Sequence, residues 1–369
     1  MPRIVPVRGP DELVFERVRD IRSAHDVPLV GDERWPDGQW DALRTLAERM
    51  PVPDAAAWAT PTSGSTGSPR ILLRTQESWQ ASFAAVSELL GADADDGVAL
   101  PAPPSSSLTL FSMAHALAGG PRPILGPEGR TGRGASCFHG TPQALRRLLE
   151  SDGPTSVRTA LVGGSPLDPE LRAEAEGRGI RVISYYGAAE LSFVAIDDGA
   201  GLRPFPGVEV DVRDGELWVR SPFVALGYLG EGGPLRRDGD WTTVGDLADV
   251  TEGTLRLRGR ADGAILTASA TVIPEEVEAA LRSLPGVADA VVVGLPARGV
   301  GALVAALVEP SASGVDAREL RAAAARVLAP ASRPRAWFAG ELPRTAAGKQ
   351  ARAEALRRVL AGEVSRLAG

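Results

Sequence analysis

The sequence predicts an α/β protein: a large amino-terminal unit of mixed and parallel sheets with helices and a small β-barrel-like part, then a small α+β carboxy-terminal unit. Three observations predict it. From residue 134 a β-α-β-α-β rhythm runs through ASCFHG, TPQALRRLLES, RTALVGG, DPELRAEAEGRG and RVISYYG, the pattern of parallel strands joined by right-handed crossovers. Near residue 205 the texture changes to side-chain alternation in VEVDVRDGELWVRS, broken by Asp214-Gly215. Beyond GRADG at 259–263, helical and apolar strand patterns share a stretch of about a hundred residues, enough for a compact unit of its own. A length of 369 residues also exceeds a typical single domain.

The elements follow in order. ILLR at 71–74 reads as a short strand, and Trp79, Phe83, Val86 and Leu90, spaced by three and four, define an amphipathic helix after it. The Ser/Gly/Thr run in PTSGSTGSPR, residues 61–70, therefore occupies a turn before a strand. In the βαβ stretch, ligands gather beyond the carboxyl ends of parallel strands, which is where GGSP at 163–166 and YGAAE at 186–190 fall. PEEVEAALRSL is a helix with Pro274 in its first turn and acidic residues near its positive end. ADAVVVG and GALVAALVE are apolar strands, DARELRAAAARVLA is a helix, and a polar tail containing LPRTAAGKQAR closes the chain. This divides the protein into residues 1–259 and 260–369, with the boundary near Arg260 and Asp262.

Composition excludes several function classes. A net charge of −7 with scattered arginines offers no basic stripe, so neither nucleic acid nor an anionic membrane is an expected partner. No apolar run is long enough to span a bilayer, and the opening MPRIVPVRGPDEL lacks the apolar core of a secretory signal; a cytoplasmic protein is expected. One cysteine, Cys137, and three histidines, His25, His115 and His139, make a His/Cys zinc site improbable. Cys137 and His139 share one face of a strand, but with no recognisable third partner they read as strand packing rather than as a nucleophile and its base.

In PTSGSTGSPR, Thr62, Ser63, Ser65 and Thr66 cluster hydroxyls, and Gly64 and Gly67 let backbone amides turn toward an anion. That chemistry suits a polyphosphate. It is not a Walker loop, because Ser68, Pro69 and Arg70 stand where a lysine and Ser/Thr belong. By itself the segment is equally readable as a polar connector.

Five further segments decide between these readings: GGSP at 163–166, YYGAAE at 185–190, VGD at 244–246, GRADG at 259–263 and PRTAAGK at 343–349. In this order and spacing, from about residue 58 to 352, the chain resembles the adenylate-forming superfamily of acyl-CoA synthetases, nonribosomal peptide synthetase adenylation domains and luciferases. In its length it is similar to compact members such as short o-succinylbenzoate-CoA ligases and related fatty-acid ligases, and RTQESWQASF resembles the sequence of some compact bacterial acyl-CoA ligases.

The resemblance implies a two-step reaction. A carboxylate attacks the α-phosphate of ATP to give an acyl-adenylate and pyrophosphate, and a thiol, CoA or the phosphopantetheine of an acyl carrier protein, then takes the acyl group. Thr62, Ser63, Gly64, Ser65, Thr66 and Gly67 would hold the β- and γ-phosphates. Glu190 would help hold Mg²⁺; Tyr186, followed by Gly187, would stack on adenine, with Gly164 and Ser165 lining the base pocket. Asp246 would accept from the ribose hydroxyls and Arg260 would bind ribose or phosphate. Lys349 would bridge the carboxylate and the α-phosphate, and Asp262 would be the hinge about which a mobile carboxy-terminal domain rotates between the two steps.

The chain departs from the family pattern at several positions. Arg70 replaces the usual Lys, Ala189 a Thr or Ser, and Val244 a Thr. In ADGAILTASATVIPEEVE, Leu266, Ser269 and Thr271 stand where Lys, Gly and Arg are usual, and Ser269 narrows the expected passage for the thiol arm. Ser105 to Ser107 occupy the neighbourhood of an aromatic or histidine gate, and no acidic anchor for an α-amino group is visible. The sequence reading thus leads to an acyl- or aryl-CoA ligase acting on a small carboxylic acid. Transfer to a carrier protein or an amine, and a degenerate nucleotide-binding protein without turnover, remain the alternatives.

Overall fold

The computed structural model describes residues 2–35, 37–63, 69–151, 155–230, 232–260, 263–266, 271–297, 301–312, 314–345 and 348–367, with backbone alone at Ser63, Pro69, Arg260, Leu266, Gly301 and Thr271. Gly64, Ser65, Thr66, Gly67, Asp262 and Ser269, all singled out in the sequence, lie outside the described residues, as does the side chain of Arg260.

The βαβ rhythm forms the centre of a seven-stranded sheet. Arg181–Ala188, Thr159–Gly163, Cys137–Gly140, Gly97–Ala99 and Arg122–Ile124 run parallel in that spatial order, and Ser192–Asp197 and Arg203–Pro204 extend the first edge antiparallel. Helices Pro142–Glu150 and Pro169–Gly177 are the crossovers, each with proline in its first turn. Their starts are capped: the Thr141 hydroxyl accepts from the Ala144 amide and the Asp168 carboxylate from that of Glu170. Because these strands are covered on both faces, they read as near-continuous apolar runs, with Phe138, Ala160, Leu161, Val162, Val182 and Ile183 buried.

A second, five-stranded sheet carries Ile4–Val7, Val27–Val30, Trp58–Ser63, Pro69–Arg74 and Gly227–Tyr228. Trp58–Ser63 and Pro69–Arg74 are antiparallel, with Ser63 opposite Pro69, so residues 64–68 join two paired strands. The predicted helix after them spans Gln76–Leu90 and buries Trp79, Phe83, Val86 and Leu90. Its aromatic residues continue into the core: Trp79 meets Phe111 edge-on at 5.8 Å.

The alternating stretch beyond residue 205 is an antiparallel six-stranded sheet. Glu209–Arg213 and Glu216–Arg220 form its predicted hairpin, with Arg213 opposite Glu216. Both turn residues adopt positive φ, 52° at Asp214 and 80° at Gly215, as a two-residue hairpin loop requires.

In the last third, Val287–Ala297, Gly301–Pro310, Ala336–Ala339 and Ser365–Arg366 form a four-stranded sheet, packed with helices Pro274–Arg282, Ala317–Val327 and Arg352–Leu360. The sequence reading leaves the chain end as a polar tail; the structure corrects this. Residues 343–345 pair with 348–351, and Arg352–Leu360 is helical because Ala355 and Val359, four apart, give it a narrow buried stripe. Arg352 ties this helix to Pro274–Arg282 through Glu275 and Glu278, each at 2.8 Å. Burial raises the Glu278 carboxyl above its ordinary range against the opposing pull of Arg352.

Candidate active site

A cavity of about 560 Å³ opens beyond the carboxyl ends of the parallel strands. His139 and Thr141 reach it from one strand end, Gly164 from the next, and Tyr185, Gly187, Ala188, Ala189 and Glu190 from the third. This is where an open α/β sheet collects its ligands. Thr60 and Thr62 enter from Trp58–Ser63, Asp246 from the six-stranded sheet, and Thr345 and Lys349 from the folded-back chain end.

The lysine is held by a built turn. Thr345 donates its amide to the Lys349 carbonyl at 2.7 Å, and the Gly348 amide returns to the Thr345 carbonyl at 2.8 Å. Gly348 takes φ 79°, a left-handed conformation that glycine adopts without steric cost. The turn is fastened to the four-stranded sheet by its flanks: Arg344 pairs with Asp289 at 2.8 Å, and Gln350 donates to Asp289 and to the Ala290 carbonyl, both at 2.8 Å. On its other side the turn lies against Thr141 and Gln143, since a Cβ on Gly348 would stand 2.8 Å from Gln143 Oε1.

Glu190 is 9% exposed, and Tyr228 donates its hydroxyl to Glu190 Oε1. The turn that carries it is clamped by Arg74, which donates to the Ala189 carbonyl at 2.5 Å and to the Phe223 carbonyl. Arg74 is fully buried over the Trp79 ring, and desolvation lowers its pKa to about 9 while Glu190 opposes the shift; the guanidinium thus stays charged at neutral pH. Tyr186 donates its hydroxyl to Asp246 Oδ2, joining the YGAAE strand to the VGD segment.

The remaining wall is aromatic. Phe193 packs on Tyr185 at 4.6 Å and on Phe111 at 5.0 Å, and His139 lies 5.6 Å from Tyr185. His139 bridges the Ser112 hydroxyl at 2.8 Å and the Tyr185 hydroxyl at 3.0 Å. Burial pushes its imidazole down to about 3, with His115 adding to the shift, and pushes the Tyr185 phenol up, so both stay neutral across the physiological range. Cys137, two residues before His139, packs in the core with its thiol toward the Leu90 carbonyl, as the strand-packing reading expects.

Of the residues singled out in the sequence, Thr62, Gly164, Gly187, Glu190, Asp246 and Lys349 meet at this cavity. Tyr186 is tied to it through Asp246, whereas Ser165 is exposed beyond Gly164 and lies outside the wall. Sequence reasoning missed Arg74, Tyr185, Tyr228 and Thr60. Arg74 left a signal as a charge closing the apolar run ILL, and Tyr185 opens the segment YYGAAE without a role assigned to it. Thr60 is buried with no hydrogen-bond partner for its hydroxyl among the described residues.

Comparison with known proteins gives the same picture. The AMP-binding enzyme family matches residues 11–229, and the AMP-binding enzyme C-terminal domain matches residues 276–349. An uncharacterized acyl–CoA ligase, YhfT of Bacillus subtilis, is 29% identical over 347 residues, 85% of this chain and 71% of that one. A probable 2-succinylbenzoate–CoA ligase of Mycobacterium tuberculosis is 29% identical over 388 residues, covering 97% of this chain and 98% of its own length. Among solved structures, wild-type Escherichia coli MenE with a bound analogue of OSB-AMS superposes with a TM-score of 0.79 at 23% identity, covering 98% of this chain and 88% of that chain. The amide bond synthetase McbA from Marinactinospora thermotolerans superposes with a TM-score of 0.72 at 25% identity, covering 96% and 79%. With a family match over more than half of its length and the motif residues gathered at one cavity, the chain belongs to the AMP-binding enzymes.

Proposed function

We propose that this enzyme activates a small carboxylic acid with ATP and transfers the acyl group to CoA. In the first step a carboxylate oxygen attacks the α-phosphorus of ATP, the bond to the bridging oxygen breaks, and pyrophosphate leaves. In the second the CoA thiolate attacks the acyl carbon and AMP leaves. The observation that carries the reading is the meeting of Lys349 with Thr62, Gly164, Glu190 and Asp246 in one cavity.

Lys349 lines the cavity beside Gly164, where its ammonium offsets the charge that grows on the α-phosphate and the incoming carboxylate. The segment from Thr62 through Ser63, Gly64, Ser65 and Thr66 to Gly67 holds the outer phosphates. Asp246, oriented by Tyr186, accepts from the ribose hydroxyls, and Gly164 and Gly187 leave room for the base; the resemblance adds Ser165 to the base pocket and Arg260 to the binding of ribose or phosphate. The family implies Mg²⁺ with the nucleotide. Among the described residues no group of three or more His, Cys, Asp or Glu side chains gathers, which suits a cation held by one or two carboxylates plus substrate phosphates. Glu190 and the Thr62 hydroxyl would hold it, and it would neutralise charge between phosphates when bound.

Residues 1–259 and 260–369 act as two domains in this reading, with Asp262 as the hinge that brings Lys349 in for adenylation and removes it for thioester formation past Ser269. No described helix is long and apolar enough to cross a membrane, and use of ATP and CoA suits a cytoplasmic enzyme. An amine acceptor is the second reading, favoured by the likeness to an amide bond synthetase. The test is carboxylate-dependent ATP–pyrophosphate exchange without acceptor, followed by AMP release with CoA or with amines. Exchange that gains AMP release only with CoA supports the first reading; release only with an amine supports the second.

A further inference from the structure

The turn that carries Lys349 rests on the start of helix Pro142–Glu150. A Cβ on Gly348 would stand 2.8 Å from Gln143 Oε1 and 3.4 Å from Thr141 Oγ1, so the turn closes this far only because residue 348 has no side chain. The lysine passes the same place: a Cβ on Gly164 would stand 3.3 Å from Lys349 Cε and 3.6 Å from Thr141 Cγ2. Thr141 is committed to the helix cap, where its hydroxyl accepts from the Ala144 amide at 3.3 Å, and it also lines the cavity. Gln143 is different. It is half-buried, lies outside the cavity wall, and among the described residues no hydrogen bond engages its carboxamide. Its tip is spent on the lysine turn.

We propose that Gln143 is a positioning residue for adenylation: its carboxamide is the stop against which Gly348 closes, and it acts on the reaction only through Lys349. The inference rests on the adenylation reading, which assigns Lys349 to the reacting carboxylate and the α-phosphate. The turn arrives as a unit, because Arg344 and Gln350 tie its two flanks to Asp289, each at 2.8 Å. Where Gln143 halts the turn therefore sets how far the lysine enters the cavity beside Gly164. A misplacement on the order of 1 Å costs a reacting group about a hundredfold in rate, so a contact of this kind governs turnover without touching substrate. Because Gln143 does not line the cavity, nucleotide affinity is independent of it.

The experiment is a double-mutant cycle on the full-length chain. Gln143→Ala removes the stop and Gln143→Phe fills its place with a ring; each is made in the native chain and in Lys349→Ala. The kcat and KM of exchange with labelled pyrophosphate are measured with benzoate, octanoate, succinate and 2-succinylbenzoate, and the acid giving the fastest native exchange carries the comparison. AMP binding is measured on every preparation. The expected result is a kcat lower by about threefold or more in Gln143→Ala and about tenfold or more in Gln143→Phe, with KM for ATP and AMP affinity within about twofold of native. In Lys349→Ala the same substitutions should change the residual exchange by less than about twofold, since a group that acts only through the lysine has nothing left to position. Smaller losses in the native background overturn the inference. So do equal losses in the two backgrounds, which give Gln143 a structural role, and losses confined to KM or AMP affinity, which give it to nucleotide binding. Exchange by the native chain with none of the four acids overturns the adenylation reading itself.

Discussion

Lys349 passes so close to Gly164 that a Cβ added there would stand 3.3 Å from Lys349 Cε, and Gly164 itself holds φ 89°. The bare backbone at the end of Thr159–Gly163 is thus part of the lysine's channel. Gly164→Val should cost roughly 1–3 kcal/mol in backbone strain and displace the lysine. The expected outcome is a drop in exchange rate of about tenfold or more, since small misplacements of reacting groups are costly. Stopped exchange kinetics together with a urea titration separate the two effects; an unchanged rate would show that the lysine does not need this path.

Arg74 predicts a stability effect. Its guanidinium satisfies the Ala189 and Phe223 carbonyls, and its positive charge faces Glu190. Arg74→Met should destabilise the fold by roughly 3–5 kcal/mol, the scale for removing one partner of a buried charge arrangement. Arg74→Lys keeps the charge but not the two-pronged donor geometry, and should lie between Met and the native residue. Denaturant midpoints at neutral pH check this order.

Tyr228 tunes Glu190. Removing the hydroxyl in Tyr228→Phe deletes its hydrogen bond to Glu190 Oε1. Hydrogen bonds to a charged group contribute about 1.5–3 kcal/mol, so the carboxylate should lose fixed orientation. The variant should require about tenfold more Mg²⁺ for half-maximal exchange, on the scale seen when partners of metal ligands are removed. A Mg²⁺ titration reads this directly, and an unchanged requirement would remove Glu190 from the metal's surroundings.

Two buried histidines set the acid limb of stability. Burial lowers His115 to about 4 and His139 to about 3, whereas an exposed imidazole titrates near 6.5. Above the unfolded value both states are neutral and the contribution is complete. As pH falls from the unfolded value toward the folded ones, the unfolded chain takes up protons that the folded chain refuses, and stability is lost. The slope is about 1.4 kcal/mol per pH unit for each histidine. Unfolding free energies measured at pH 7.5, 6 and 5 should decline below about pH 6.5, and His115→Gln should remove about half of the histidine-linked slope.

Much of this was legible in the sequence for identifiable reasons. The parallel strands announced themselves because strands covered on both faces must be apolar throughout, and the Asp214-Gly215 hairpin because its turn needs positive φ at both positions. Lys349 was legible because its motif is contiguous. Arg74, Tyr185 and Tyr228 were not, because each acts across the fold: Tyr228 meets Glu190 over 38 residues, Tyr185 meets His139 over 46 and Arg74 meets Phe223 over 149. The helix Arg352–Leu360 escaped notice because its buried stripe is narrow amid charged residues, and its anchor is the ion pairing of Arg352 with Glu275 and Glu278.

The most direct test of the account is carboxylate-dependent ATP–pyrophosphate exchange by Lys349→Ala, with AMP affinity measured on the same sample. The account predicts a loss on the order of 100- to 1,000-fold in exchange, the scale for deleting one electrostatic contact to a transition state, with AMP affinity within about threefold of the native enzyme. Native exchange rates in that variant would contradict it.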